Sequence, residues 1–240
     1  MKKLSKRGKL TLFTNLALVL IMTAVFAVSF LPQTIVPIYG TDKSYAIYNG
    51  NRENKNVSLM FNVYENTSVV KEIIKTLDAN GAKATFFVGG CWADDNAETL
   101  KLIVQSGHEI GNHGYFHKDH KTLDYTANRE EIYLSGVVTE ALCGVKPKLF
   151  APPSGSFSQN TLDACKDLGY TAIMLSKDTI DWRDKVADTV FKRATQNLEN
   201  GDLVLMHPKE HTLKALPRIL EFYKTAGFNA VTVSENIKGL

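Results

Sequence analysis

Cysteine is scarce in this 240-residue sequence, and its scarcity excludes one class of fold. The three cysteines, Cys91, Cys143 and Cys165, are odd in number and match no metal-binding spacing. A small domain held together by a framework of disulfides is therefore not indicated. We expect free thiols that pack as small buried side chains.

Net charge is also small once the first nine residues are set aside. The chain carries 28 Lys and Arg against 25 Asp and Glu, and five of the basic residues lie within residues 1–9. The other 231 residues therefore carry 23 basic and 25 acidic side chains, so the sequence pI of about 8.6 says little about the domain. We predict no nucleic-acid partner, because binding to phosphates calls for a basic surface.

Long charge-free apolar runs are absent except for residues 10–31. A run of about 22 residues can cross roughly 30 Å of hydrocarbon as a helix. The basic cluster before it favours the cytoplasm, so we expect a single-pass cell-membrane anchor with the domain on the extracytoplasmic side. The alternative is a secreted protein, cleaved from a signal peptide near Ala27-Val28-Ser29.

The rest of the chain predicts a linker and one domain. Residues 32–56 are polar and read as a linker with a short edge strand near 44–48, and residues 57–240 are long enough for a sizeable core. We expect this domain to be a monomer.

Within residues 57–240, near-continuous apolar runs alternate with amphipathic helices, as in a parallel sheet covered by helices. About seven such units favour an irregular (β/α)7-type barrel over an open α/β layer. The predicted strands are 57–64, 84–90, 108–114, 148–153, 171–176, 202–207 and 230–234. The predicted helices are 67–79, 94–106, 126–142, 159–168, 186–199 and 212–226.

Chemically active side chains follow the predicted strands, where such folds place their sites. His113 and His117 are four residues apart and would face one Zn²⁺ or similar cation if their turn is helical, although this spacing alone is weak evidence. His120 is either a further ligand or an exposed loop residue. Asp178 could orient His207 as a general acid, or simply cap a turn.

The segments "ATFFVGG", "HEIGNHGYFH", "FAPPSG", "DTIDW" and "VLMH" occur in this order. Together they resemble the polysaccharide deacetylases of carbohydrate esterase family 4, across about residues 57–236. The anchored form is similar to the sporulation-associated and cell-envelope branch of that family. The resemblance implies an irregular barrel and a metal-dependent hydrolase that removes acetyl groups from chitin-like glycan or peptidoglycan.

By the same resemblance His113 and His117 hold the metal, most simply zinc, and His207 with Asp178 behind it protonates the leaving amine. Trp182 lines the substrate groove, although a lone Trp could equally fill core. Pro153, Ser154 and Gly155 of "FAPPSG" are further residues expected to bind substrate.

Two carboxylates of the family pattern are missing. Where the family has an aspartate base and an aspartate metal ligand, this chain has Asn62 and Val63, and Ala151 replaces the arginine that pairs with the base. Losing the arginine with its partner avoids an unpaired buried cation, which would cost roughly 3–5 kcal/mol. Glu65 is the nearest replacement ligand or base, or else an exposed acid before a helix.

Two functions follow from this altered site. The first is an atypical, weakly active, metal-dependent deacetylase of acetylated cell-wall glycan that uses Glu65 or water-filled coordination, with Asn62 and His207 among its catalytic residues. The second is a non-catalytic relative that binds glycan in the same groove. An unrelated membrane-anchored α/β protein is the third and weakest hypothesis.

Overall fold

The computed structural model describes residues 14–23 and 45–240. The chain divides into two compact units, residues 1–43 and 44–240. In the first unit residues 14–23 are helical, whereas the remainder of the predicted apolar segment, the basic cluster and the candidate cleavage site lie outside the described residues. No helix among the described residues is long and apolar enough to cross a membrane.

The second unit contains one sheet of nine strands, and every strand pair in it is parallel. Its order is β1-β6-β5-β4-β3-β2-β8-β7, with β9 beside the start of β2. The strands are β1 Ala46–Ile47, β2 Asn56–Val63, β3 Ala84–Val88, β4 Glu109–Asn112, β5 Leu149–Phe150, β6 Thr171–Ile173, β7 Lys177–Asp178, β8 Asp202–Met206 and β9 Asn229–Ala230.

Eight helices accompany these strands in residues 45–240 and cover the sheet. They are α1 Thr67–Ala79, α2 Gly90–Asp95, α3 Ala97–Gln105, α4 Tyr125–Cys143, α5 Gln159–Leu168, α6 Ala187–Thr195, α7 Glu210–Thr225 and α8 Val233–Asn236. The helix predicted over 94–106 is thus interrupted at Asn96, whose amide side chain bonds back to the carbonyl of Trp92 at 2.8 Å.

The sheet curls but its two ends, β1 and β7, do not pair with each other in the described part of the chain. It is therefore a half-open version of the predicted barrel. The prediction of a strand over 230–234 is wrong beyond Ala230, because the side chain of Thr232 accepts a hydrogen bond from the Glu235 amide and starts α8. The helix cap at Thr232 therefore decides the conformation of this segment, although its β-branched residues favour a strand.

Part of the predicted linker belongs to the domain. The expected edge strand forms as β1, with Ala46 opposite Ala172 and Ile47 opposite Ile173 of β6. The Gly50 amide also donates to the carbonyl of Gly201 at 2.6 Å. Residues 46–50 are therefore tied to the sheet by backbone hydrogen bonds.

The core has three clusters: the largest lies between strands and helices, a second lies inside the curl of the sheet, and a third packs α4 and α5 against β5 and β6. Successive residues of a strand face opposite sides, so Phe61 and Val63 of β2 pack in the larger cluster while Met60 packs inside. Asn62 follows the inward direction of Met60 at the carboxyl end of β2. Ala151 belongs to the same inner cluster, so the interior around this strand end is apolar.

The cysteines are all free: Cys165 is buried, and Cys91 and Cys143 are half-buried. The expectation of buried thiols therefore holds fully for Cys165 and in part for the other two.

Candidate functional site

A pocket of about 380 Å³ lies at the carboxyl ends of β2, β4 and β8. It is open on one side and brings together three of the predicted histidines and the two residues proposed as replacement acid-base groups. Its lining residues are Asn62, Tyr64, Glu65, His113, Phe116, His117, Trp182, His207, Pro208 and Lys209.

His113 follows β4 directly and is buried. Its Nδ1 lies 2.7 Å from the carbonyl oxygen of Ala151, and because a carbonyl only accepts, Nδ1 carries the proton. Burial, followed by the neighbouring His117, lowers the pKa of His113 to about 3. The imidazole is therefore neutral at physiological pH, with the Nε2 lone pair available.

His117 lies close to His113 although the turn between them is not helical. The φ angle of His117 is 55°, in the left-handed region, and the loop instead brings the two ring centroids to 5.2 Å. The ring of Tyr64 packs edge-on against His117 at 5.1 Å. Burial lowers the pKa of His117 as well.

The described residues do not supply the third ligand of a metal site. Residues 14–23 and 45–240 contain no group of three or more His, Cys, Asp or Glu that could hold a metal ion. Val63 is fully buried in the larger core cluster, and Asn62 has a buried Oδ1 without a hydrogen-bond partner. Two neutral imidazoles without a carboxylate do not fit the three-ligand site that the family resemblance implies.

Glu65 does not replace the missing carboxylate beside the histidines. Its side chain is 57% exposed and forms an ion pair with Lys209, whose side chain is 26% exposed. This pair joins the loop after β2 to the loop after β8 at the rim of the pocket. The structure therefore leaves Glu65 in the pocket lining but does not group it with His113 and His117 as a metal ligand.

His207 has a carboxylate partner, but the partner is Asp181 and not Asp178. Asp181 is fully buried and accepts from the Nδ1 of His207 at 2.7 Å and from the His207 amide at 2.7 Å. It also accepts from the Thr212 hydroxyl at 2.6 Å. Burial on its own would raise the pKa of Asp181, but the hydrogen bonds and charge of His207 outweigh it and hold the pKa below the ordinary value.

Asp178 caps a turn instead. Its Oδ1 accepts from the amide of Ile180 at 2.7 Å, and Ile180 has a φ angle of 53°. This left-handed residue reverses the chain after β7 and carries the next acid, Asp181, beneath His207. The alternative of a turn cap, weighed for Asp178 in the sequence, is the one that the structure adopts.

The predicted glycan-contacting residues divide into two groups. Trp182 is 55% exposed and lines the pocket. Pro153, Ser154 and Gly155 form a short 3-10 turn outside the pocket lining. His120 is not an exposed loop residue: it is fully buried, and its Nδ1 lies 2.7 Å from the side-chain oxygen of Asn128. It forms no three-ligand group with other His, Cys, Asp or Glu residues in the described ranges.

Glu131, which the sequence pattern did not distinguish from other polar residues of its helix, holds the histidine loop. It is 3% exposed, and its Oε2 accepts from the amides of Tyr115 and Phe116 at 3.0 and 2.8 Å. Lys118 approaches Oε1 at 3.2 Å. Because these amides lie between the two pocket histidines, Glu131 fixes the backbone that places His117 and Phe116.

Phe116 is a second exposed aromatic of the pocket, at 54% exposure beside the equally exposed Trp182. In the free protein the exposure of both rings is unfavourable, because apolar surface in contact with water costs free energy. The adjacency of Phe116 to the histidines in "HGYFH" was the signal in the sequence that could have found it.

These features define a class of protein. The family model for polysaccharide deacetylases matches residues 49–173, and the chain belongs to that family, whose deacetylases are metal-dependent hydrolases of carbon-nitrogen bonds. Its own site is atypical, since both family carboxylates at the end of β2 are absent.

Two curated relatives are similar to this chain over most of its length. The chain is 34% identical over 189 residues to the uncharacterized protein YlxY of Bacillus subtilis (strain 168), covering 79% of this chain. It spans 59% of the length of that relative. It is 29% identical over 202 residues to a peptidoglycan-N-acetylglucosamine deacetylase of Bacillus cereus, covering 82% of this chain and 74% of the relative.

Among solved structures, the chain is similar to a CE4 family pseudoenzyme from Bacillus anthracis, with a TM-score of 0.79 and 33% identity. The match covers 81% of this chain and 69% of that one. A mutant of that pseudoenzyme, described as having restored enzymatic activity, matches with a TM-score of 0.79 and 31% identity over 81% of this chain and 72% of that one.

Proposed function

We propose that this chain is a non-catalytic member of the polysaccharide deacetylase family that binds acetylated cell-envelope glycan in the pocket beside His113 and His207. One observation carries the proposal: in the part of the chain that the structure describes, no carboxylate is grouped with His113 and His117 to complete a metal site, and the position of the family base holds Asn62. Asn62 at the base position cannot take up a proton at neutral pH, since an amide does not titrate there.

Binding to a sugar is supported by the chemistry of the lining. Phe116 and Trp182 offer exposed aromatic faces to the apolar side of a sugar ring, and the amide of Asn62 and the imidazoles offer hydrogen-bonding groups. The similarity to a solved pseudoenzyme of the family fits the same conclusion. The site residues His113, His117, His207, Asn62 and Trp182 are proposed as glycan contacts.

A slow deacetylase is the second candidate, favoured by the complete pair of His207 and Asp181. Such a pair holds one imidazole in a fixed tautomer and could protonate a leaving amine. Without the positioned base, the rate would fall by roughly 10²–10⁴. Zinc, if bound, would polarise the acetyl carbonyl, but the present residues do not form the family's ligand set.

Localisation completes the proposal. We place the domain outside the cytoplasmic membrane, either anchored through residues 10–31 or secreted, in the sporulation-associated and cell-envelope branch of the family. The apolar N-terminal run with its preceding basic cluster supports this placement. A monomer is the proposed state.

Acetate release and glycan binding, measured on the same protein with added Zn²⁺ or Co²⁺, test the proposal. The substrates are N-acetylated chitooligosaccharides and peptidoglycan fragments. We expect binding by calorimetry and no acetate. Acetate release that disappears in His113→Ala would establish the slow deacetylase instead, and binding of neither glycan would refute both functions.

A further inference from the structure

Among the described residues that line the pocket, Lys209 carries the one ammonium group, and it lies at the rim. Its ion-pair partner, Glu65, is held weakly. Glu65 makes one side-chain contact, to Lys209, and more than half of its side chain is exposed. An exposed ion pair of this kind is worth little to the fold, because water solvates both charges well when they separate.

The rim does not depend on that ion pair for its shape. The side-chain amide of Asn66 donates to the carbonyl oxygen of Pro208 at 3.0 Å and joins the same two loops. Glu65 can therefore turn towards solvent without opening the pocket. Its departure would leave Lys209 with a free ammonium at the pocket mouth.

The pocket interior also lacks the negative charge that would keep an acid out. With Asn62 and Val63 in place of two carboxylates, Glu65 is the one acid among the described lining residues. Asp181 lies behind His207 with its oxygens occupied by three donors. The substitutions that remove the base therefore also remove the repulsion between the pocket and an anionic ligand.

We propose that Lys209 is a specificity residue that binds the carboxylate of an acidic N-acetylated glycan, which displaces Glu65 from the ion pair. This inference rests on the proposed function and goes further by naming the ligand class: a glycan with both an acetamido group and a carboxylate, in preference to a neutral acetylated glycan. A carboxylate of the ligand fits because it would form the same ion pair with the Lys209 ammonium that the Glu65 carboxylate already forms.

Calorimetry with two probes of equal length tests this inference: a disaccharide of N-acetylglucosamine and N-acetylmuramic acid, which carries a carboxylate, and neutral di-N-acetylchitobiose. We expect the wild type to bind the acidic disaccharide about threefold to fivefold more tightly, the size of a partly exposed ion pair, with a preference that falls as salt rises.

Two variants are expected to change the preference for the acidic disaccharide in opposite directions. Lys209→Gln should remove the preference by weakening binding of the acidic disaccharide more than that of the neutral one, whereas Glu65→Gln should increase the preference by removing the internal competitor. Lys214→Gln, at an exposed lysine of α7 outside the pocket, is the matched control and should leave both affinities unchanged. Equal thermal midpoints of the variants exclude a folding effect.

The outcomes separate this inference from the function on which it rests. Equal affinity of the wild type for both disaccharides, or a preference that survives Lys209→Gln, overturns the role of Lys209 while glycan binding stands. A preference that falls in Glu65→Gln overturns the competition between Glu65 and the ligand. Binding of neither disaccharide overturns the inference together with the proposed function.

Discussion

The two ends of the pocket differ in how completely their polar groups are satisfied. At the β8 end, Asp181 accepts three hydrogen bonds and joins His207 to Thr212 of α7. At the β2 end, the buried Oδ1 of Asn62 has no partner, and Val63 is an apolar core residue. The β8 end, which we propose as the acid end of an acid-base site, therefore has a complete set of hydrogen bonds, while the β2 end, proposed as the base and metal end, does not.

The difference shows which groups serve the fold as well as the chemistry. Asp181 ties the turn after β7 to the backbone of His207 and to α7, so its loss would leave buried donors unpaired whether or not the protein is an enzyme. A carboxylate at 62 or 63 would have no such structural role here, because the neighbouring interior is apolar. Chemistry at the β2 end can thus be lost without loss of the fold.

The largest expected effect comes from rebuilding the β2 end. The triple variant Asn62→Asp, Val63→Asp and Ala151→Arg restores the base, the third ligand and the arginine of the family pattern. We expect the triple variant to release acetate from N-acetylated chitooligosaccharide in the presence of Zn²⁺, at a rate roughly 10²-fold or more above the background measured with the wild type, since a positioned base alone contributes that much. Zinc affinity should rise with it.

His113→Ala in the triple background is the control and should remove both gains. Because Val63 packs in the core, the stability of each variant is measured alongside, and the base and arginine are also tested without Val63→Asp. A folded triple variant with no gain in zinc affinity or acetate release would show that the pocket has lost the geometry of the active family members.

Removing the central carboxylate of the acid end should have the next largest effect. Asp181→Ala leaves the His207 amide, the His207 ring and the Thr212 hydroxyl without their acceptor, so we expect the free energy of unfolding to fall by roughly 3 kcal/mol or more. Urea denaturation measures it. Asp178→Ala removes one turn cap and should cost about 1 kcal/mol; an equal or larger loss for Asp178 would contradict the assignment of Asp181 as the partner of His207.

The loop between His113 and His117 depends on Glu131. In Glu131→Ala the amides of Tyr115 and Phe116 lose a buried acceptor, and we expect the protein to lose about 2 kcal/mol of stability and to bind glycan more weakly. The neighbouring Glu130 is exposed, so Glu130→Ala should change neither quantity. Unchanged glycan affinity in a destabilised Glu131→Ala protein would restrict Glu131 to a role in the fold.

A smaller change at the acid end tests its pH dependence. The folded pKa of Asp181 is lowered, so its stabilising contribution is present above the ordinary aspartate pKa and is lost as the pH falls below it towards the folded value. Thr212→Val removes one hydrogen bond that lowers this pKa, and we expect a loss of about 1 kcal/mol at neutral pH. Acid unfolding, followed by circular dichroism, should move to higher pH; a shift to lower pH would contradict the assigned hydrogen bond.

The sequence predicted most strands and helices because buried parallel strands leave apolar runs and the helices between them are amphipathic. It also predicted that a site lies where the carboxyl ends of parallel strands meet at one edge, although two of the predicted strand ends, 89–92 and 152–155, do not line the pocket. The choice between Asp178 and Asp181 could not be made in this way, because it depends on the left-handed backbone of Ile180, a residue type that seldom adopts it.

Long-range contacts account for the other failures. Glu131 reaches the amides of Tyr115 and Phe116 from α4, and Lys209 reaches Glu65 across 144 positions of the chain. No local spacing encodes such contacts. The same holds for His117, whose position next to His113 is set by the loop that Glu131 holds and not by a helical turn.

Zinc binding by the wild-type protein is the most direct test of the claim that the metal end of the pocket is incomplete. The metal-free protein is titrated with Zn²⁺ by calorimetry, and His113→Ala is titrated beside it. Our account predicts weak binding, with no saturable one-to-one site that the substitution removes. A tight site of one zinc ion per chain that is lost in His113→Ala would contradict it.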